Sequence, residues 1–121
     1  AGNLANFYIG ASYMKMRKFD EAIDALKSFS SSDGLIQARA YSLIGDAYME
    51  KKDYGSAVGY YQKSTKTGAN DQFTPAYMMK LGLAHELNGD AASAKSTYAK
   101  LVKEYPQARE INNAKKYLAQ E

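Results

Sequence analysis

His85 is the single histidine of the 121-residue chain and the natural place for general acid–base chemistry to start. Its neighbours Ala84 and Glu86 supply neither a nucleophile nor a second ligand, and it takes a place that Tyr13 and Tyr48 take elsewhere in the chain. A packing role therefore outweighs a catalytic one. Asp46 and Glu50 lie one helical turn apart and are the next candidates, as a cation site. Two carboxylates fall well short of the roughly six to eight oxygens that calcium takes, and the alternating Asp, Asn and Gly of a calcium loop is missing. Both carboxylates are expected to face solvent, where they can meet a basic residue of a partner. Tyr60 and Tyr61, like Tyr8 and Tyr13, are spaced for packing rather than for stacking on bases. There is no cysteine, hence no thiolate and no disulfide. The chain has no glycine-rich phosphate loop, Ser-His-Asp set or metal-ligand spacing either. No catalytic, cofactor-binding or metal site is expected, and an enzyme is not.

The elements that would position these residues are helices. Nineteen alanines and eleven tyrosines stand against two prolines, and alanine loses no side-chain entropy in a helix. The length fits one domain. Sixteen Lys and Arg exceed thirteen Asp and Glu by three, but the signs are interspersed, as on a solvated surface rather than a nucleic-acid footprint. No run approaches the roughly 18 apolar residues of a membrane span, so this segment is not expected to insert. The start, Ala-Gly-Asn, lacks an initiator methionine and a signal-type apolar core, and the chain is read as a processed or excised portion of something longer.

One sentence is written three times: "GASYMKMRKFDEAIDAL", "GDAYMEKKDYGSAVGYY" and "GLAHELNGDAASAKSTY". Aligned on Tyr13, Tyr48 and His85, the copies are 35 and 37 residues apart. Each has a glycine three residues before the anchor (Gly10, Gly45, Gly82), an alanine nine after it (Ala22, Ala57, Ala94) and a large group four further on (Leu26, Tyr61, Tyr98). Small residues at two places beside one bulky filler are what a close antiparallel helix pair needs. Asp53 and Asp90 stand where they can cap the second helix of their units, Lys18 replaces that aspartate in the first, and Thr74-Pro75 suits a helix start. Helices are expected at about 3–16, 19–31, 35–51, 54–67, 75–88, 91–104 and 108–119. The loop-rich stretches "SFSSSDG" and "TGANDQFTP" absorb the residues in excess of the period.

The pattern resembles the tetratricopeptide repeat (TPR), a helical hairpin of about 34 residues. The matching stretches are "IGASY" with "AIDAL", "YSLIGDAY" with "AVGYY", and "LGLAH" with "AKSTY" followed by Pro106. Departures are Asn6 where Tyr41 begins the second unit, Phe29 and Leu101 at a place that is usually small and is Ser64 in the second unit, and His85 at the tyrosine. The resemblance implies an all-α fold, a right-handed superhelical stack (α-solenoid) of three hairpins at 3–36, 38–71 and 75–108. Residues 109–121 follow as a C-terminal capping helix or the first helix of a truncated further repeat, with Ile111, Ala114, Tyr117 and Leu118 on its apolar face.

The family's geometry puts the first helix of each hairpin on the concave side. It implies a partner-binding groove of Phe7, Ala11 and Met14, then Ser42, Asp46 and Met49, then Met79, Leu83 and Glu86: mostly apolar with an acidic middle. A subclass that grips chaperone C-terminal carboxylates uses Lys, Asn and Arg on these faces, and Phe7, Ala11, Asp46, Met79 and Leu83 provide no such cation. The stretches "AKSTYAKLVKEYPQAREINNAKKYLAQ" and "FYIGASYMKMRKFDEAIDALKSF" resemble bacterial envelope TPR proteins, which implies a periplasmic setting, the cytoplasm being the alternative, and a part in translocation or assembly of envelope proteins. The expected function is non-enzymatic binding of an apolar or amphipathic protein segment, without nucleic acid. The alternative is a structural spacer or oligomerisation module that stacks into a larger helical assembly.

Overall fold

The computed structural model describes residues 2–120. Seven helices follow one another, α1 (Gly2–Lys15), α2 (Phe19–Lys27), α3 (Gly34–Glu50), α4 (Tyr54–Lys66), α5 (Thr74–Leu87), α6 (Ala91–Glu104) and α7 (Ile111–Gln120), and no strand occurs among the described residues. Residue 121 of the expected last helix lies outside them. Consecutive helices pack against each other, and α1 also approaches α3 while α2 and α4 come less close. The first helices α1, α3 and α5 form one layer of the stack and α2, α4 and α6 the other, and the approach of α1 to α3 marks the first layer as the inner one.

Close approach within each hairpin is visible atom by atom. A Cβ on Gly10 would stand 2.5 Å from Leu26, one on Gly45 2.6 Å from Tyr61, and one on Gly82 2.3 Å from Tyr98. The three alanines, Ala22, Ala57 and Ala94, are fully buried. The glycine thus makes room for the filler that the repeat carries on the opposite helix. Three apolar cores result, centred on Phe7, Leu26 and Ile44, on Tyr61 and Leu81, and on Met78, Tyr98 and Leu101.

The turns inside the hairpins are alike. Arg17, Lys52 and Gly89 each have positive φ (59°, 62° and 78°), and the next amide donates back to the carbonyl of Tyr13, Tyr48 or His85 at 2.9 Å. Asp53 and Asp90 accept from the amides of Ser56 and Ser93, whereas Lys18 makes no side-chain cap. The Ser93 contacts hold the Asp90 carboxyl below its ordinary range.

Two helices depart from their expected limits by more than one residue. α2 stops at Lys27 because polar side chains capture the following backbone: the Ser30 amide donates to Asn3 Oδ1 (2.9 Å) and the Ser31 amide to Gln37 Oε1 (2.7 Å). Phe29 turns inward against Phe7, ring centres 5.4 Å apart. α7 begins only at Ile111, after successive turns in which the amides of Ala108 and Ile111 donate to Tyr105 and Ala108. It covers α6 through buried Ala114 and through Tyr117, stacked on Tyr98 at 5.3 Å, and turns Asn112, Asn113, Lys115 and Lys116 to solvent. A polar outer face is what a terminating helix requires.

Candidate functional site

The inner layer carries two concavities. The first lies across the N-terminal parts of the first helices and owes its shape to the two loop-rich stretches. Asp33 accepts from the Leu35 amide (3.0 Å) and starts α3 about one turn before the place where the repeat pattern begins. Leu35 and Ile36 ride on that extra turn. In the other stretch Asn70 acts as an organiser, its Oδ1 accepting from the amides of Gln72 (3.0 Å) and Phe73 (2.8 Å) and its own amide donating to Thr74 Oγ1 (2.8 Å). The two stretches meet backbone to backbone, since a Cβ on Gly34 would lie 2.8 Å from the Gly68 Cα, and Gly68 has a φ of 56°. Between them opens a cavity of about 270 Å³ lined by Phe7, Asp33, Leu35, Ile36, Arg39, Phe73 and Tyr77. Leu35 and Phe73 are 51% and 40% exposed at its edge.

The second concavity, about 340 Å³, lies towards the C-terminal ends of α1 and α3 and is lined by Met14, Arg17, Phe19, Asp46, Met49, Glu50 and Tyr61. Its charges are answered within the chain. Lys80 approaches both Asp46 oxygens (3.1 and 3.0 Å) and the Ser42 hydroxyl (3.4 Å), and the Tyr61 hydroxyl donates to Asp46 at 2.5 Å. Burial, and after it the neighbouring Asp46 charge, pushes the Tyr61 hydroxyl far above the ordinary tyrosine range. Glu50 pairs with Arg17 at 3.2 Å on the exposed rim, a weak contact. Tyr77 lines the first concavity, and burial raises its hydroxyl, with Arg39 opposing that shift and Asp46 adding to it.

Asp46 and Glu50, expected to face solvent and to meet a basic residue of a partner, have basic neighbours within the chain, Lys80 and Arg17. Lys80 was overlooked because it lies on another repeat, 34 residues from Asp46, and pairing across repeats leaves no local spacing signal. Of the nine residues expected to line the groove, Met14, Asp46 and Met49 meet in the second concavity and Phe7 reaches the first. Phe7 (6% exposed) and Ser42 (3%) are otherwise core, and Met79 packs on the core around Met78 and Tyr98. Ala11, Leu83 and Glu86 are half-buried and line neither concavity. Leu35, Ile36, Arg39, Phe73 and Tyr77, which line the first concavity, were not among the expected groove residues. The signal was Leu35 and Phe73, large apolar residues in or beside polar loop stretches. His85 is half-buried, and no group of three His, Cys, Asp or Glu side chains able to hold a metal occurs among the described residues. No helix among them is long and apolar enough to cross a membrane.

Comparison with known proteins agrees with this architecture. Residues 9–72 match the family model of the tetratricopeptide repeat, and residues 76–108 match a second model of that family. FK506-binding protein 5 of Rhizopus delemar is 36% identical over 59 residues, 49% of this chain, and the chain spans only 15% of that relative's length. Among solved structures, the N-terminal domain of stress-induced protein-1 from C. elegans superposes with a TM-score of 0.79 at 17% identity, covering 96% of this chain and 94% of that one. The TPR2AB domain of yeast Sti1, in complex with pHSP90, gives 0.73 at 23% identity, covering 99% of this chain and 49% of that one. MamA gives 0.70 at 22%, covering 95% and 73%. At such identities these structures speak for the fold, an α-solenoid of stacked hairpins. With more than half of its length matched by one model of the family and most of the remainder by another, the chain belongs to the tetratricopeptide repeat family.

Proposed function

We propose that this chain is a non-enzymatic protein interaction module that receives an apolar or amphipathic segment of a partner, extended or helical, on its inner face. The observation that carries this reading is the concavity of Phe7, Leu35, Ile36, Phe73 and Tyr77, an apolar surface left open on the inner layer with Leu35 and Phe73 half-exposed beside it. Open apolar surface around a preformed hollow marks a binding site more often than a packing flaw. Arg39 lines the same hollow and, among the described residues, has no carboxylate within 4.0 Å. The segment it receives therefore carries apolar anchors and an acidic group near Arg39, in place of a basic group opposite Asp46. The adjoining Met14 and Met49 add flexible, polarisable contact surface for a longer segment. The complex of the yeast Sti1 domain with pHSP90 supports a protein ligand for this fold. The envelope setting rests on the terminal resemblances alone, and the chemistry of the groove is independent of compartment.

The test is selection of peptides from a random phage library on the isolated domain, followed by titration of the best one. Leu35→Glu combined with Phe73→Glu should weaken it at least about tenfold, since each buried anchor contributes on the order of 1 kcal/mol or more. Retained affinity in a folded double variant would move the site elsewhere. The spacer is the second reading, favoured by one observation: Ile9 is 47% exposed, and Ala5 and Ser12 are also exposed, whereas their counterparts Ile44, Ala40 and Ala47 are buried under the preceding hairpin. A concentration-dependent mass that Ile9→Glu abolishes would favour it.

A further inference from the structure

On the outer side, between α2 and α4, two lysines and three tyrosines form one continuous cluster, with Tyr48 and Tyr60 packed against the core and the two ammonium groups outside it. Tyr60 is its centre, stacked on Tyr48 at 5.7 Å and tilted against Tyr41 at 6.3 Å. Lys27 reaches in from α2, its ammonium 5.5 Å from the Tyr60 ring centre and 5.4 Å from that of Tyr48, donating to the Tyr48 hydroxyl at 2.9 Å. Lys63 reaches in from α4, 4.8 Å from the Tyr60 centre and 5.6 Å from that of Tyr41. Two cations thus converge on one ring beside a hollow of about 370 Å³, whose floor includes Leu26, Phe29 and Ile44.

No acidic residue lines this hollow, and α4 has none over its whole length. Among the described residues neither ammonium has a carboxylate within 4.0 Å. On α2, Asp20 is paired with Lys51, and Glu21 and Asp24 are exposed. Like charges held together over aromatic rings lose part of their mutual repulsion to the rings, but their remaining N–H groups still lack anionic acceptors. We infer that the groove between α2 and α4 is a second docking surface, which takes an acidic peptide segment whose carboxylates bridge Lys27 and Lys63. A nucleic acid fits the charge but not the rings. Base stacking needs open aromatic faces, and those of Tyr60 are attended by two ammonium groups and two neighbouring rings. A lone phosphate would leave most of the hollow unfilled.

The experiment is fluorescence anisotropy with a fluorescein-labelled Glu-rich peptide carrying one leucine for the apolar floor. Binding should weaken with added salt and fall about tenfold or more in Lys27→Gln/Lys63→Gln, as expected when charged pairs carry the contact. It should persist in Lys27→Arg/Lys63→Arg, in the distant pair Lys100→Gln/Lys103→Gln and in the inner-face variant Leu35→Glu/Phe73→Glu. A helical spectrum for each variant secures the comparison. The inference is overturned if the Lys27/Lys63 neutral variant binds as well as the parent, or if the Lys100/Lys103 variant or the inner-face variant loses as much. It is overturned equally if inorganic phosphate displaces the peptide at comparable concentration, or if a labelled single-stranded oligonucleotide binds more tightly through the same two lysines.

Discussion

At the scale of single residues, space decides more than chemistry. The Cβ of Gly45→Ala would meet the Tyr61 ring at 2.6 Å and that of Gly82→Ala the Tyr98 ring at 2.3 Å, with both rings buried and unable to swing away. Each substitution should lower stability by about 1 to 3 kcal/mol. Gly59 is exposed and faces open space on α4, so Gly59→Ala should instead raise stability by roughly 0.5 to 1 kcal/mol. Denaturant midpoints of opposite sign at two glycines of adjoining helices check this, and equal signs would refute the close approach. Tyr61 adds a pH dependence. Its hydroxyl pKa is raised in the folded state above the ordinary 10.0, so the folded protein holds that proton more tightly than the unfolded chain. The associated stability is complete below pH 10 and is lost as pH rises beyond it. Tyr61→Phe should flatten the alkaline decline relative to the parent, read as thermal midpoints across that range.

At the scale of elements, the sequence pattern and the structure agree where packing repeats and part where it does not. The glycine, alanine and filler positions were legible because the same glycine–filler contact and a fully buried alanine occur in all three hairpins, and so were the aspartate caps at Asp53 and Asp90. The end of α2 was not, because it depends on Asn3 and Gln37 reaching backbone groups of the loop. The stretches "SFSSSDG" and "TGANDQFTP" read as tolerated insertions, yet they brace each other through Gly34 and Gly68 and frame the inner hollow. Gly68→Ala combines a left-handed φ with a backbone clash and should lower the denaturant midpoint more than Gly89→Ala, whose Cβ has free space. It should also weaken peptide capture, because Phe73 is held by this loop. Removing residues 109–121 uncovers Tyr98 and Leu101, so the midpoint should fall, and an unchanged midpoint would mean that α7 is not a cap.

At the scale of the whole molecule, the stack presents different chemistry on its two sides. The inner side is apolar with most of its charges paired, and the outer groove is cationic with its rings already occupied. Groove residues were only partly legible because curvature brings together side chains from different repeats, as Asp46 and Lys80 or Phe7 and Phe73, and a repeat pattern read one unit at a time does not reveal such pairs. On the proposed function, the inner hollow is where a partner segment docks. Its most direct test is amide chemical-shift mapping of the labelled domain as a selected apolar-anchored peptide is added. The largest shifts are expected at Phe7, Leu35, Ile36, Arg39, Phe73 and Tyr77, with smaller ones at Met14 and Met49. Shifts confined to the α2 and α4 face, or to Ala5, Ile9 and Ser12 at the open end of the stack, would contradict it.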